Sequence, residues 1–523
     1  MASQTKAAVD DDNVQVAIDA DIESSHSNEV VQFPAEESPL LPNNSSGHSE
    51  PPKAFRRRVL VMCFTALLLV EVSVFLMSPP IKTILEDIIC RNYYPDHQLR
   101  MPQIQDVRCK ESGIQKTLAM VMGWTQALEM GVPILVQFPF GIVADKYGRR
   151  IVLFLSVSGC FLQTCWIIMV LLFPNVFSIW ATLVGTLFFL IGGGGQMAAA
   201  MVYTIVADVV PVAERTDMFF RLIAAVLIFN ALVNLISAWL LQFDPWLSMW
   251  IGFAIMLVGT LSILLIPETI HLQRSNDKRR RQDEETHDRE VDRSKHAILK
   301  QAWSSIENDM QHAWRFIFAS KSIMILMAAI AFFFPIKVAN IGLLLQYMTK
   351  RFDWSWSKAT YISTIGIIAN VICYLVILPI ASDFLNNSSR YKGRPVARDL
   401  LLGRITIAIM VVGSLLIAVA RVPWLFIVSL IIVSFGNSFN ALSRALINAV
   451  VEPHTVATLN TTISLVEMLM GLTAPAMGWL LGRGIELGDG WMGLPFLVSS
   501  GLALGTTIML LVVKLPENGV AQA

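Results

Sequence analysis

Twelve stretches of this chain are apolar for long enough to cross a lipid bilayer: 59–80, 117–142, 150–173, 177–207, 218–242, 246–267, 323–349, 358–382, 400–420, 423–450, 456–482 and 491–514. A helix needs about 20 predominantly apolar residues to cover the hydrocarbon core. Lipid offers backbone groups no hydrogen bonds, so only helices and closed barrels can span it, and runs of this length predict helices. The pattern therefore predicts an all-α membrane protein with twelve transmembrane spans. Two polar breaks are long, 81–116 and 268–322. The second divides the chain into a tail at 1–57, six spans within 58–267, a central loop at 268–322, six spans within 323–515 and a short tail at 516–523. The first tail is acidic and dotted with Ser, Asn and Pro, a composition expected to stay disordered.

Lys and Arg set the orientation, because cytoplasmic connections carry their excess. One set of connections holds Lys53 with Arg56 to Arg58, Lys146 with Arg149 and Arg150, Arg215, the "KRRR" at 278–281, and Arg390 to Arg404. The opposite set includes "FPNVFS" and "QFDPW", which carry no basic residue. Both termini and the central loop are expected in the cytoplasm, and 81–116 outside.

Composition narrows the chemistry. Charged residues make up 15% of the chain, against roughly 25% in soluble domains. The net charge is zero, which argues against a nucleic-acid partner. No metal-ligand cluster, nucleophile elbow or phosphate-cradling glycine loop is present, so neither a metal, a cofactor nor an enzyme is expected. Cys63, Cys160, Cys165 and Cys373 lie in apolar runs as small hydrophobes. Cys90 and Cys109 share the 81–116 segment, outside, where conditions favour oxidation, and form a candidate disulfide. "GGGG" at 192–195 reads as close helix packing.

The two halves echo each other. "LIPETI" ends predicted span 6 and "KLPENG" ends predicted span 12; Asp145 matches Asp383, and Gly195 matches Gly436. The offsets stay near about 240 residues, which suggests two six-helix repeats. Between predicted spans 2 and 3 stands "GIVADKYGRR". Gly141 permits close helix approach and Gly148 a tight turn. Asp145 can accept amides at a helix N-terminus or pair with an arginine, and Lys146, Arg149 and Arg150 hold the turn inside. The order G-x-x-x-D-K-x-G-R-R resembles the signature loop of the major facilitator superfamily over roughly residues 55–518, supported by the span count, the central loop and "PET" after span 6. The resemblance implies two pseudo-symmetric six-helix bundles rocking about a central site, with Asp145 and Arg149 as a cytoplasmic latch and Asp383 with Arg390 as a degraded copy. "ILEDIICRNYY" and "ADVVPVAERT" resemble a fungal branch often found with secondary-metabolite gene clusters. Predicted span 5 lacks the "GPxxGG" motif of the drug–proton antiport branch.

Ionisable residues at mid-span are costly and persist where they face a cavity or a partner. Five stand out: Glu71, Glu129, Lys337, Arg444 and Glu467. In the superfamily, spans 1, 4, 7 and 10 line the cavity, which implies that Glu71, Lys337 and Arg444 lie there. Glu71 is the first candidate for carrying a proton and Glu467 the second; the alternative for Glu71 is a structural pair with Lys337 or Arg444. Glu129 reads as an interhelical hydrogen bond, and Arg221 as a snorkelling side chain.

The expected function is a secondary transporter, proton-coupled and monomeric, moving a small organic molecule, foremost by exporting a metabolite or toxin. Proton-symport uptake of a nutrient or vitamin, and a non-transporting nutrient receptor, are the alternatives. The plasma membrane is the expected location. "EESPLLP" at 36–42 fits an acidic dileucine signal through Glu36, Leu40 and Leu41, which makes the vacuolar membrane the alternative. In intact, mildly reduced cells, an impermeant thiol reagent should label Cys90 or Cys109, whereas external protease should leave 268–322 uncut; cleavage there from outside would overturn the orientation.

Overall fold

The structure, a computed structural model, describes residues 53–94, 107–210, 212–269, 321–388, 391–392, 394–450 and 456–513. The dileucine signal, most of both tails and of the central loop, and Arg390 lie outside the described residues, as does the side chain of Asp145. Among the described residues, twelve helices are long and apolar enough to cross a membrane: Ala54–Tyr93, Ser112–Gln137, Arg149–Leu172, Ile179–Val209, Arg221–Leu240, Pro245–Leu265, Lys321–Gly342, Trp356–Asn387, Pro395–Val419, Pro423–Ala449, Thr462–Glu486 and Leu494–Val512. They are spans 1 to 12 below. The fold is all-α, two pseudo-symmetric six-helix bundles. Apolar side chains such as Leu187, Ile236, Trp239, Leu504 and Leu511 are exposed around it, as a lipid-facing surface requires.

Local contacts repeat between the halves. Arg150, opening span 3, donates to the Ile266 carbonyl at the end of span 6, 3.4 Å away. Arg404, in the first turns of span 9, donates to Leu510 and Val513 carbonyls at the end of span 12, at 2.9 and 3.4 Å. Each arginine satisfies carbonyls that a helix C-terminus leaves unpaired. Within the glycine run, Gly192 is the residue in close contact: a Cβ there would come within 2.4 Å of the Ser156 nitrogen on span 3. Gly436 plays that part against Met410 on span 9. The match expected for Gly195 is displaced, because Gly195 itself faces open space. Gly193 and Gly194 take φ of +86° and +60°, where span 4 passes from its 3-10 portion, Ile179–Ile191, to its α-helical portion, Gly194–Val209.

Span 1 departs from expectation. It begins at Lys53, inside the predicted tail, and continues through Pro79 and Pro80 to Tyr93, so residues 81–93 are helix rather than loop. A proline lacks the N–H that would bond the carbonyl four residues earlier, and Pro80 thus releases the Leu76 carbonyl. Ser237 of span 5 and Ser248 of span 6 both donate their hydroxyls to it, at 3.0 and 3.1 Å. Past the prolines, Ile84, Leu85, Ile88 and Ile89 are buried, a helical face that keeps the segment packed.

The halves meet along spans 2 and 11. A Cβ on Gly123 would lie 2.9 Å from the Ala474 carbonyl oxygen, one on Gly478 2.5 Å from that of Ala119, and one on Gly482 2.8 Å from the Lys116 side chain. Small residues thus let two antiparallel helices approach to backbone contact. The largest buried apolar cluster, toward the Cys90 end, joins both halves through residues such as Ile89, Leu118, Ile330 and Trp356. The cluster at the other end, around Val152, Met201, Val206 and Ile263, holds residues from the first six spans alone.

The shared carbonyl of span 1 gives a direct test. Replacing Ser237 and Ser248 together by Ala should destabilise the purified protein by roughly 1–3 kcal/mol, the cost of an unsatisfied buried acceptor. Each single variant should lose less, because one hydroxyl still serves Leu76. A double variant that melts with the unaltered protein would dismiss this account.

Candidate functional site

A cavity of about 500 Å³ lies between the halves, lined by spans 1, 5, 8 and 10 and by span 7 with the short helix that extends it, Leu344–Arg351. Helical periodicity brings its residues to one wall. Span 7 and its extension contribute Lys337, Asn340, Ile341 and Leu344; span 8 contributes Ser363, Ile367, Asn370 and Tyr374; span 10 contributes Leu430, Val433, Asn437 and Asn440. Span 5 adds Asn230 and Asn234, and span 1 adds Phe75, Ser78 and Lys82. Among the described residues, the lining has six asparagines and two lysines, and no carboxylate.

Some of these amides are engaged. Asn234 donates to the side chain of Asn230 at 2.6 Å, and Tyr374 donates its hydroxyl to the Asn437 carbonyl at 3.0 Å. Asn340 differs: both polar atoms of its side chain are buried and bond nothing, as is Oδ1 of Asn370. Buried polar atoms are nearly always satisfied; these three lie behind the cavity wall, closed off from its space in this conformation.

The mid-membrane charges divide into groups. Arg444 pairs with Glu467 at 2.5 Å, and both act electrostatically on Lys337. Glu129 accepts from Gln163 of span 3 at 2.9 Å, an interhelical bond, and lies within electrostatic reach of Lys82. Glu71 makes no hydrogen bond or ion pair among the described residues, although its charge acts on Tyr203 and Cys160. Of the three residues expected in the cavity, Lys337 lines it, while Glu71 and Arg444 do not line this one. Arg444 takes Glu467 rather than Glu71, since the neighbouring span 11 presents the nearer carboxylate.

Toward the Cys90 end sits a buried polar hub that sequence reading missed. Cys90, in the last turn of span 1, is bridged to Cys109 in the short helix Val107–Lys110. The bridge brings Lys110 over the preceding turn of span 1, where its ammonium donates to Glu86 at 2.6 Å. Gln115 donates to the same carboxylate, and the Trp356 indole donates to its other oxygen at 2.5 Å. Trp356 opens span 8, so Glu86 ties the first half to the second. Gln346 donates to the Gln115 carbonyl at 2.7 Å, and Lys116 pairs with Glu486 at 2.5 Å, both also across the halves. The i, i+4 spacing of Lys82 and Glu86 across apolar helix turns was the available signal; the prolines obscured it.

The opposite end carries the signature turn. Gly148 has φ of +123°, and a Cβ there would meet Glu268 Oε2 at 2.5 Å, so glycine is required twice over. Arg149 is buried and pairs with Asp208 of "ADVVPVAERT", while its backbone N–H donates to Glu268 of "LIPETI" at 3.1 Å. Thr269 donates to the same Asp208 carboxylate at 3.2 Å. Three motifs that are distant in sequence thus form one network within the first half. The close helix approach expected at Gly141 is not found: a Cβ there would meet nothing within 4 Å. Lys146 is exposed, its ammonium 5.5 Å from the Tyr147 ring centre. Asp383 is exposed.

Two like helical bundles with a cavity between them, whose wall sets lysines and asparagines among apolar side chains, are the architecture of a solute carrier. The chain belongs to the Major Facilitator Superfamily, whose sequence model matches residues 110–475. It is 27% identical over 495 residues to a protein named "MFS efflux pump atnC" from Emericella nidulans, covering 92% of this chain and 94% of that one. It is 25% identical over 442 residues to one named "Efflux pump ustT" from Aspergillus flavus, covering 82% and 83%. Among solved structures, the xylose transporter XylE from E. coli, partially occluded and inward-open, matches with a TM-score of 0.57 at 13% identity, covering 88% of this chain and 98% of that one. The human organic anion transporter MFSD10 (TETRAN) matches with 0.54 at 15% identity, covering 88% and 100%. At such identities the likeness is one of fold.

The Glu86 hub can be tested on stability. Glu86→Gln leaves the Lys110 ammonium buried without its counter-charge, which costs on the order of 3–5 kcal/mol. The purified variant should melt well below the unaltered protein, and adding Lys110→Met should recover most of the loss. An unchanged melting temperature in Glu86→Gln would remove the hub from the account.

Proposed function

We propose that this chain is a proton-coupled secondary transporter that exports a small organic molecule by alternating access. The cavity between the halves carries the reading: it sets charged and amide side chains in a largely apolar wall, and is backed toward the Cys90 end by the Glu86 hub and the seam of spans 2 and 11. The names of the relatives favour export over uptake. In this reading the Cys90 end faces outward, and both termini and the 141–150 turn are cytoplasmic, in the plasma membrane or alternatively the vacuolar membrane. Asp145 and Arg149 act as the cytoplasmic latch, with the Arg149–Asp208 pair and Glu268 holding that turn against its own bundle.

Glu71 is assigned the proton. It sits at the centre of span 1 with neither an ion pair nor, unlike Glu129, a hydrogen bond among the described residues, so a proton can remove its charge without breaking a contact. Glu467, held by Arg444, is the second candidate. In everted membrane vesicles, Glu71→Gln should abolish accumulation driven by a pH gradient while leaving substrate exchange, which needs no net proton movement. Gln keeps the shape and most of the hydrogen-bonding capacity of Glu. Unchanged gradient-driven accumulation in a well-expressed Glu71→Gln protein would rule the assignment out.

A further inference from the structure

The cavity's electrostatics point further than transport alone. Lys82 and Lys337 approach it from opposite halves of the protein, and no carboxylate lines its wall. Neither lysine makes an ion pair among the described residues. Of the carboxylates within their electrostatic reach, Glu467 is paired with Arg444, while Glu129 accepts from the uncharged Gln163 and is not part of the wall. The Lys337 ammonium also sits 5.5 Å from the Phe334 ring centre. An ammonium in such a place is costly unless it meets a partner, and nothing in the wall is that partner. Beside the lysines, the wall sets asparagine side chains, which can both donate and accept. Phe75 and Phe333 supply apolar wall for a carbon skeleton.

We propose that this cavity selects an organic anion: a small molecule with an apolar, partly aromatic body, a carboxylate or comparable oxyacid group, and further carbonyl or hydroxyl oxygens. Lys82 and Lys337 take the anionic group between the two halves, and the asparagine side chains of the wall bond the neutral oxygens and hydroxyls. A cation of the same shape would add a third positive charge to a wall without a negative one, and is disfavoured. Because the two lysines belong to different halves, an anion held by both also draws the halves together around it. This assignment rests on the cavity being the transport site.

Two dyes of nearly one shape and opposite charge provide the test: fluorescein, an oxygen-rich anion, and rhodamine 123, a cation. Binding to the purified full-length protein in nanodiscs is read by fluorescence anisotropy. Fluorescein should bind at least about tenfold more tightly than rhodamine 123, the factor one charge-assisted hydrogen bond confers. Lys82→Gln and Lys337→Gln should each weaken fluorescein by about tenfold and leave rhodamine 123 unweakened, while Lys337→Arg should retain the preference. If one Gln variant fails to accumulate, the other and the dye preference of the unaltered protein still decide. Equal or stronger binding of rhodamine 123, no binding of fluorescein, or lysine variants that bind fluorescein normally would each overturn the proposal. Movement of the dyes in proteoliposomes is measured separately. Rhodamine 123 transport without fluorescein binding would sink the anion assignment and keep the transporter, whereas lysine-dependent fluorescein binding without movement would sink transport and keep the site.

Discussion

Hydrocarbon solvates neither a peptide group nor a charge, so each polar atom within the membrane must find its partner in the protein or in a water-filled cavity. The adjacent prolines of span 1 are survivable only because two serine hydroxyls from spans 5 and 6 replace the missing helix bond at Leu76. That repair fixes the register of three helices at once. Glu86 follows the same rule with three donors gathered about one carboxylate, and Glu129 with a glutamine from the next span. Where an ion-pair partner is missing among the described residues, as around Lys82 and Lys337, the cavity lies open beside them.

The bonds that cross between halves gather toward one end. Glu86 to Trp356, Gln115 to Gln346 and Lys116 to Glu486 all lie toward Cys90, beyond the seam where glycines allow backbone contact. At the opposite end, the Arg149–Asp208–Glu268 network joins spans 3, 4 and the end of span 6, all in the first bundle. One end is therefore cemented between bundles and the other within a bundle. Opening the Cys90 end requires breaking the buried bonds from Trp356 to Glu86 and from Gln346 to Gln115, and the exposed Lys116–Glu486 pair. Opening the other leaves the first bundle's own network intact. This asymmetry is what a two-state carrier caught with one side shut should display.

The twelve spans and the paired bundles were legible because apolar length is read directly from composition and lipid permits few alternatives. The signature turn was legible from its order of charges and glycines, and the glycine run and the Cys90–Cys109 segment from their chemistry. What stayed hidden depended on tertiary partners. Pro79 and Pro80 read as an ending, since the serines that repair the helix lie more than 150 residues away. That error concealed Lys82 and Glu86 in a supposed loop. Asp208 and Glu268 stood in motifs already noticed, but nothing local says that both reach Arg149. Gly141 offered close approach, which requires a neighbour that this conformation does not supply.

Selection in the cavity follows from what is left unsatisfied rather than from fit alone. An apolar molecule of the right size could enter a space of about 500 Å³, but it would strip water from two ammonium groups and return nothing. A site built to bond polar groups rejects analogues lacking them far more sharply than an apolar pocket rejects a missing methylene. The same groups explain why the empty site is tolerable: while it is wet, water serves the lysines. Substrate must therefore displace water with bonds of equal quality. That condition is met by anionic, oxygen-bearing molecules and not by the lipid tails that surround the protein on every other side.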